Sequence, residues 1–374
     1  MITRRQFTRT LGGTAALATF SPILGWAADE VKVSEVAAKL YRESFVLDGN
    51  ALAWIGSLLG KPDQANVTKV VRESGITAVK SPLGGAIGNF EDAVNDIAAA
   101  DQLIEKRADL FLHVRTHADF ERARKEQKLG VIYSFESANM LEDKIERVEL
   151  FRQLGVRVMQ LNYNRRTPFG VGCLDGETDG LTELGRQAIA KMNEVGVALD
   201  LSHSNTQTTA DGIATSTKPP LITHAGCRAV YMHPRNKEDR ELKAMADKGG
   251  VVGIYMLPYI TASPKQPMLD DYMQHLEHAL KICGEDHVGV GSDVPFFRVD
   301  DSDLEEMKKA TEKRKTDGIA APGEDRPTYI PDLNTPRKME LIADSLLKRG
   351  HKSAVVEKIL GDNFKRVFGE IWTA

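Results

Sequence analysis

Eight short apolar runs, most of them separated by helix-length amphipathic stretches, constrain this chain more than any other feature. They lie at residues 45–50, 76–80, 131–136, 156–163, 197–203, 221–224, 251–256 and 288–293. Between them, stretches such as 91–106, 145–154, 181–195, 240–248 and 272–283 carry apolar residues three or four apart, the period of a helix with one buried face. Strand–helix alternation of this count predicts a (β/α)8 TIM barrel, an α/β fold with a closed parallel sheet, over a doubly wound sheet. A ninth run at 110–114 does not fit the count and is predicted to be an extra short strand.

A barrel of this kind keeps its chemistry at the C-terminal ends of its strands, so the residues that end the runs are the candidates. The run V-A-L-D-L-S-H ends at His203 and the next, L-I-T-H, at His224. Successive strands would set these imidazoles side by side on one rim. V-I-Y-S-F-E ends at Glu136 and V-G-V-G-S-D at Asp293. One strand-end histidine alone is usually a capped or hydrogen-bonded core residue. Two on adjacent strands, joined by carboxylates, match the donor set of a catalytic zinc site with an open position. Glu136 in an apolar strand needs a positive partner, either a metal or an arginine such as Arg157 or Arg235. Asp293 reads as a strand-end cap or as a metal neighbour that takes a proton as general base. Arg235, on the loop after His224, is placed to fork onto a substrate carboxylate. The other histidines, at 113, 117, 233, 275, 278, 287 and 351, read as structural or surface groups.

Composition removes several alternatives. A net charge of −4 and a pI near 6.2 offer no basic field to a nucleic-acid backbone. Cys173, Cys227 and Cys283 have neither the spacing of a thiolate zinc site nor an even count; at most one pair would bridge in an oxidising compartment. Thr3-Arg4-Arg5-Gln6-Phe7, an apolar run at 11–24 and Gly25-Trp26-Ala27 form a twin-arginine signal peptide over 1–27. The run is too short to span a bilayer. These residues predict a periplasmic protein with no membrane span after cleavage, whose mature chain, 28–374, is a single barrel domain. Charge-dense residues 298–337 follow the last strand as a long excursion on the active-site rim, either as solvated surface or as a lid or subunit contact.

Several landmarks together resemble the membrane (renal) dipeptidase family, peptidase family M19 of the amidohydrolase superfamily. They are Glu136 in F-E-S, Tyr163-Asn164 before Thr167-Pro168, D-L-S-H at 200–203, T-H-A at 223–225, Arg235-Asn236 before Asp239, G-S-D at 291–293 and G-D-N-F-K-R-V-F at 361–368. The resemblance covers essentially the whole mature chain. It implies a two-zinc barrel that hydrolyses dipeptides and leans towards a homodimer. By it, Glu136 matches the bridging carboxylate, His203 and His224 the ligands of the second metal, Arg235 the clamp on the substrate carboxylate, and Asp293 the catalytic aspartate near the first metal. The family's D-G-H-x-D at the first strand is replaced here by Asp48-Gly49-Asn50-Ala51-Leu52. Asn50 is a weak neutral ligand, or a group facing the substrate, and Leu52 is no ligand. Tyr163 stands where the family has a histidine that steadies the transition-state oxygen, and a phenol can still donate that hydrogen bond. The expectation is one zinc ion rather than two, held by Glu136, His203 and His224 with Asp293 as base or further ligand. The reaction expected is hydrolysis of a dipeptide or small amide. Two alternatives stay open: tautomerase or epimerase chemistry in the maturation of a secreted peptide metabolite, and a binding protein without turnover.

Overall fold

Each apolar run becomes a parallel strand in the computed structural model, which describes residues 32–51, 64–295 and 297–372. The strands are β1 (Leu47–Asp48), β2 (Ala78–Leu83), β3 (Phe111–His113), β4 (Leu129–Phe135), β5 (Val156–Gln160), β6 (Ala198–Asp200), β7 (Leu221–Ala225), β8 (Val251–Ile254) and β9 (Val288–Val290). They pair in the order β1-β2-β4-β5-β6-β7-β8-β9. The Gly49 N–H donates to the Val290 carbonyl at 2.8 Å, which brings the last strand back against the first. This is the (β/α)8 barrel that the alternation predicts. The ninth run is the extra strand: β2 pairs with β4 over Gly130–Phe135, so β3, which pairs over Leu129–Val131, shares the other edge of β4 with β5.

The crossover helices stop where their sequences say they must. Glu183–Val195 begins at Thr182, whose hydroxyl accepts the Gly185 N–H at 3.0 Å, and ends at Gly196 with φ +73°. A side chain there would strain the backbone, and glycine carries none.

Period-two alternation turns the barrel interior into layers. At the floor, Leu47, Ala78, Ile132, Val158, Ala198, Leu221 and Val251 pack with Phe364, Phe368 and Trp372 at the C-terminal helix Asn363–Ile371. Two residues further along the strands the same face turns polar, with Lys80, Ser134, Gln160, Asp200 and Thr223 fully buried. Two further on come Glu136, Asn162 and Ser202. An apolar floor thus supports a polar middle layer, which in turn supports the mouth.

The strands do not end where the runs end: β6 and β9 stop three residues short of theirs, while β2 runs on to Leu83. His203 lies three residues past β6 and Asp293 three past β9, while His224 is inside β7. After Leu201 the chain closes a tight turn through the Ser204 N–H and the Leu201 carbonyl, so the run ends in a loop rather than a ladder. The rim excursion has an exposed part and a packed part. Helix Asp301–Thr316 is largely exposed, but Ile319 and Ala321 beyond it are buried, and Arg326 donates to the carbonyls of Thr261 and Lys265 at 3.1 and 2.7 Å. All three cysteines are buried and free. No described helix is long and apolar enough to cross a membrane. The twin-arginine segment lies outside the described residues, as does Leu52.

Candidate metal centre

Glu136, His203 and His224 each bring a donor atom within 4.8 Å of the others, the one such group of three His, Cys, Asp or Glu side chains among the described residues. The Nε2 atoms of the two histidines stand 2.9 Å apart, and Glu136 Oε1 is 3.7 Å from His224 Nε2. Hydrogen bonds on the far sides of the rings set both tautomers. Asn164 spends its amide N–H on the Ile319 carbonyl at 2.8 Å, so its oxygen faces His203 Nδ1 at 2.7 Å and takes a proton from it. Thr223 gives its hydroxyl proton to Asp200 at 2.6 Å and therefore accepts from His224 Nδ1 at 2.9 Å. With both protons on Nδ1, both Nε2 atoms present lone pairs to each other. His203 Nε2 receives an N–H from Arg235 at 3.2 Å, whereas among the described residues no N–H or O–H group donates to His224 Nε2, which faces the opposing imidazole nitrogen and Glu136. Two acceptors this close need a cation between them. A proton is a poor one, because burial, then the Arg235 charge, push both imidazoles well below the ordinary histidine range. The residues therefore fit a divalent ion of the kind that takes imidazole and carboxylate.

Asp200 anchors this arrangement from below. Fully buried, it accepts from the Ser202 and Thr223 N–H groups, the Ser202 and Thr223 hydroxyls and Gln160 Nε2. Its carboxylate holds the hydroxyl that holds the imidazole, the outer-shell pattern of a metal-ligating histidine.

Across the mouth, Asn50 is buried beneath Glu136 and Asp293. Its Nδ2 donates to Glu136 Oε1 at 3.1 Å and to Asp293 Oδ1 at 2.8 Å, and its carbonyl accepts from Lys80 Nζ at 2.8 Å. Asp293 has φ +56°, a left-handed conformation that costs an aspartate energy and is found at functional sites. Burial, then the nearby Glu136 charge, push its carboxyl well above the usual range. Arg157, one of the two candidate partners for Glu136, turns instead to the carbonyls of Arg115, Arg152 and Val156. Arg235 is buried with Nη1 on the Ser202 carbonyl and Nη2 on His203.

The excursion roofs the site. Tyr163 stacks on His203 with ring centroids 4.0 Å apart, and the Arg314 guanidinium lies 5.2 Å from the Tyr163 ring centroid. Arg314 is itself gripped by Glu324 through two bonds of 2.8 and 2.7 Å. Burial pushes the Tyr163 phenol up, so it remains a donor. His233 donates from Nε2 to the Pro322 carbonyl at 2.9 Å and accepts the Arg235 N–H on Nδ1. It joins the clamp loop to the roof.

The family model for membrane dipeptidase, peptidase family M19, matches residues 65–313. The chain belongs to peptidase family M19. Among solved structures, an amidohydrolase from Pseudomonas aeruginosa is 33% identical, with a TM-score of 0.76 over 90% of this chain and 99% of that one. A Klebsiella pneumoniae protein from the pqqA 5′ region is 27% identical over 74% of this chain and 94% of its own length. A metallopeptidase from Rhodobacter sphaeroides, solved with a phosphinate mimic of L-Ala-D-Ala, shares the fold at 20% identity, with a TM-score of 0.70 over 88% and 100% of the two chains.

Sequence reasoning singled out the upper layer and passed over the one beneath. Lys80, Asp200, Asn164, Arg314 and Glu324 were not among its candidates. For Lys80 and Asp200 a signal existed: each stands two residues after an alanine that lines the barrel floor, which puts its side chain on the inward face.

Proposed function

We propose that this M19 protein is a periplasmic hydrolase that cleaves a dipeptide or another small amide at one zinc ion held by Glu136, His203 and His224. The observation that carries this reading is the pair of Nε2 lone pairs facing each other at 2.9 Å beside Glu136, each aimed by a hydrogen bond behind its ring. A zinc ion bound there would supply Lewis acidity to the scissile carbonyl and lower the pKa of an attacking water.

The side chains take the remaining roles. Arg235, with its charge fixed beside His203, attracts the substrate carboxylate and sets the register of the peptide. Asp293, whose carboxyl is held above its ordinary range, takes the proton of the attacking water as its oxygen bonds to the carbonyl carbon. It then returns a proton to the amine nitrogen as the C–N bond breaks. Tyr163 donates its phenolic hydrogen towards the developing oxyanion. The roof built on Arg314, Glu324 and His233 keeps bulk water away and limits the length of substrate that fits.

A second reading, proton transfer without hydrolysis, draws support from the Asn50 amide, which lies across Glu136 and Asp293 where the family resemblance puts a ligand of the first metal. The experiment is release of free amino acids from a panel of L,L- and L,D-dipeptides by zinc-loaded protein, with His203→Ala as control. Turnover in the wild type that the variant loses supports hydrolysis. Zinc-replete protein inactive on the whole panel would sink it in favour of the second reading.

A further inference from the structure

We propose that Lys80 and Asn50 form a built-in plug where the family resemblance puts the first metal ion, with the Lys80 ammonium standing in for that cation and locking the Asn50 amide across Glu136 and Asp293. The inference rests on the reading of a metal held by His203 and His224, and concerns what fills the other half of the mouth.

A lysine can only donate, so the Asn50 oxygen must be the atom that faces Lys80 Nζ at 2.8 Å. That fixes the amide. Its two N–H bonds then point at Glu136 Oε1 and Asp293 Oδ1, at 3.1 and 2.8 Å, and a shared metal would bind between these same two carboxylates. A second ammonium hydrogen also has an acceptor, and a carboxylate completes the surroundings as an ion pair. Ser134 gives its own proton to the Ser81 carbonyl at 2.9 Å and so accepts from Lys80 at 3.3 Å, while Asp200 Oδ2 lies 3.8 Å away. Lys80 and Asn50 are fully buried, the Asn50 amide is engaged on both its oxygen and its nitrogen, and the ammonium is held by two hydrogen bonds and the Asp200 charge, so the network is a finished structure rather than a half-empty metal site.

A divalent ion entering between Glu136 and Asp293 would have to expel the Asn50 amide and sit next to a buried ammonium. Restoring a histidine at position 50 would leave that second obstacle in place. Lys80 is therefore a positioning residue: through the Asn50 amide it holds Asp293 and Glu136 where a metal would otherwise hold them, and it commits the site to one ion.

The test is zinc stoichiometry by native mass spectrometry at tenfold excess zinc, with anomalous diffraction from zinc-soaked crystals to place each ion. Wild type and Asn50→His are expected to hold one zinc, and Asn50→His/Lys80→Met two. A second ion beside Glu136 and Asp293 in wild type or in Asn50→His overturns the proposal, and so does a double variant that folds yet stays at one. If the double variant does not fold, wild-type crystals still decide: a single peak, at His203 and His224, is the expected result. No peak there overturns the functional reading instead, so the two failures are told apart by position.

Discussion

Asp200→Asn tests the whole hydrogen-bond chain that aims His224. The carboxylate takes three donors on Oδ1, namely the Ser202 and Thr223 N–H groups at 3.0 and 3.1 Å and the Ser202 hydroxyl at 2.5 Å. Turning an amide N–H2 towards these would orphan two buried backbone donors, so the asparagine will keep its oxygen there and place its N–H2 on the Oδ2 side. The Thr223 hydroxyl then loses its carboxylate acceptor, and its proton turns to His224 Nδ1, 2.9 Å away. His224 is pushed to the other tautomer, with Nε2 protonated and facing the ion. Outer-shell losses of this kind cost roughly 10–100-fold in metal affinity, or about 1.4–2.7 kcal/mol. Folding stability falls as well, by roughly 1.5–3 kcal/mol for a hydrogen bond to a charged group. The assay is competition for zinc against a chromophoric chelator, with thermal unfolding of the same samples to show that the variant is folded. Gln160→Ala is the comparison, because it removes a donor to the same carboxylate and the acceptor of the His203 backbone N–H at 3.3 Å without touching the proton on Thr223; its zinc affinity should fall less than that of Asp200→Asn. Folded Asp200→Asn that binds zinc within twofold of wild type would refute the tautomer argument.

Arg235→Lys replaces a fork with a point charge in a buried site; KM for a dipeptide should rise by about tenfold or more, with kcat much less affected, and an unchanged KM would remove Arg235 from substrate binding. Glu324→Gln breaks the paired bonds to Arg314, a loss of about 1.5–3 kcal/mol. Limited proteolysis should then cut within residues 317–326 faster than in wild type, and equal rates would mean the roof is held elsewhere. Burial depresses His233 and His275 to about 4. Such a histidine stays neutral in the folded protein while the unfolded chain takes up a proton near pH 6.5, so stability is retained above pH 6.5 and drains away as pH falls towards 4. Each contributes a slope of up to about 1.4 kcal/mol per pH unit, and unfolding curves of His275→Gln should be flatter over that window; an identical pH profile would refute it.

How much of this was legible in the sequence depends on which layer a residue occupies. The mouth was legible because Glu136, His203, His224 and Asp293 each end an apolar run. Any one of them alone has an ordinary structural reading, but two imidazoles and two carboxylates at neighbouring strand ends make a ligand set. The barrel was legible because a parallel strand buried on both sides leaves a nearly uninterrupted apolar run. The excursion was not, because its exposed helix and its buried Ile319–Ala321 turn share one charge-rich composition, and only tertiary contacts distinguish them. The middle layer failed for a different reason. A lysine at the end of an apolar run looks like the point where a strand meets solvent, so position 80 reads as a boundary. Period two from Ala78 instead carries Lys80 inward, and β2 continues to Leu83. The same oversight explains Asn50, which as a sequence letter is a histidine lost. Beside a buried ammonium it is a donor turned towards two carboxylates, and an absent ligand at a strand end is therefore interpretable only together with the residue facing it from the next strand.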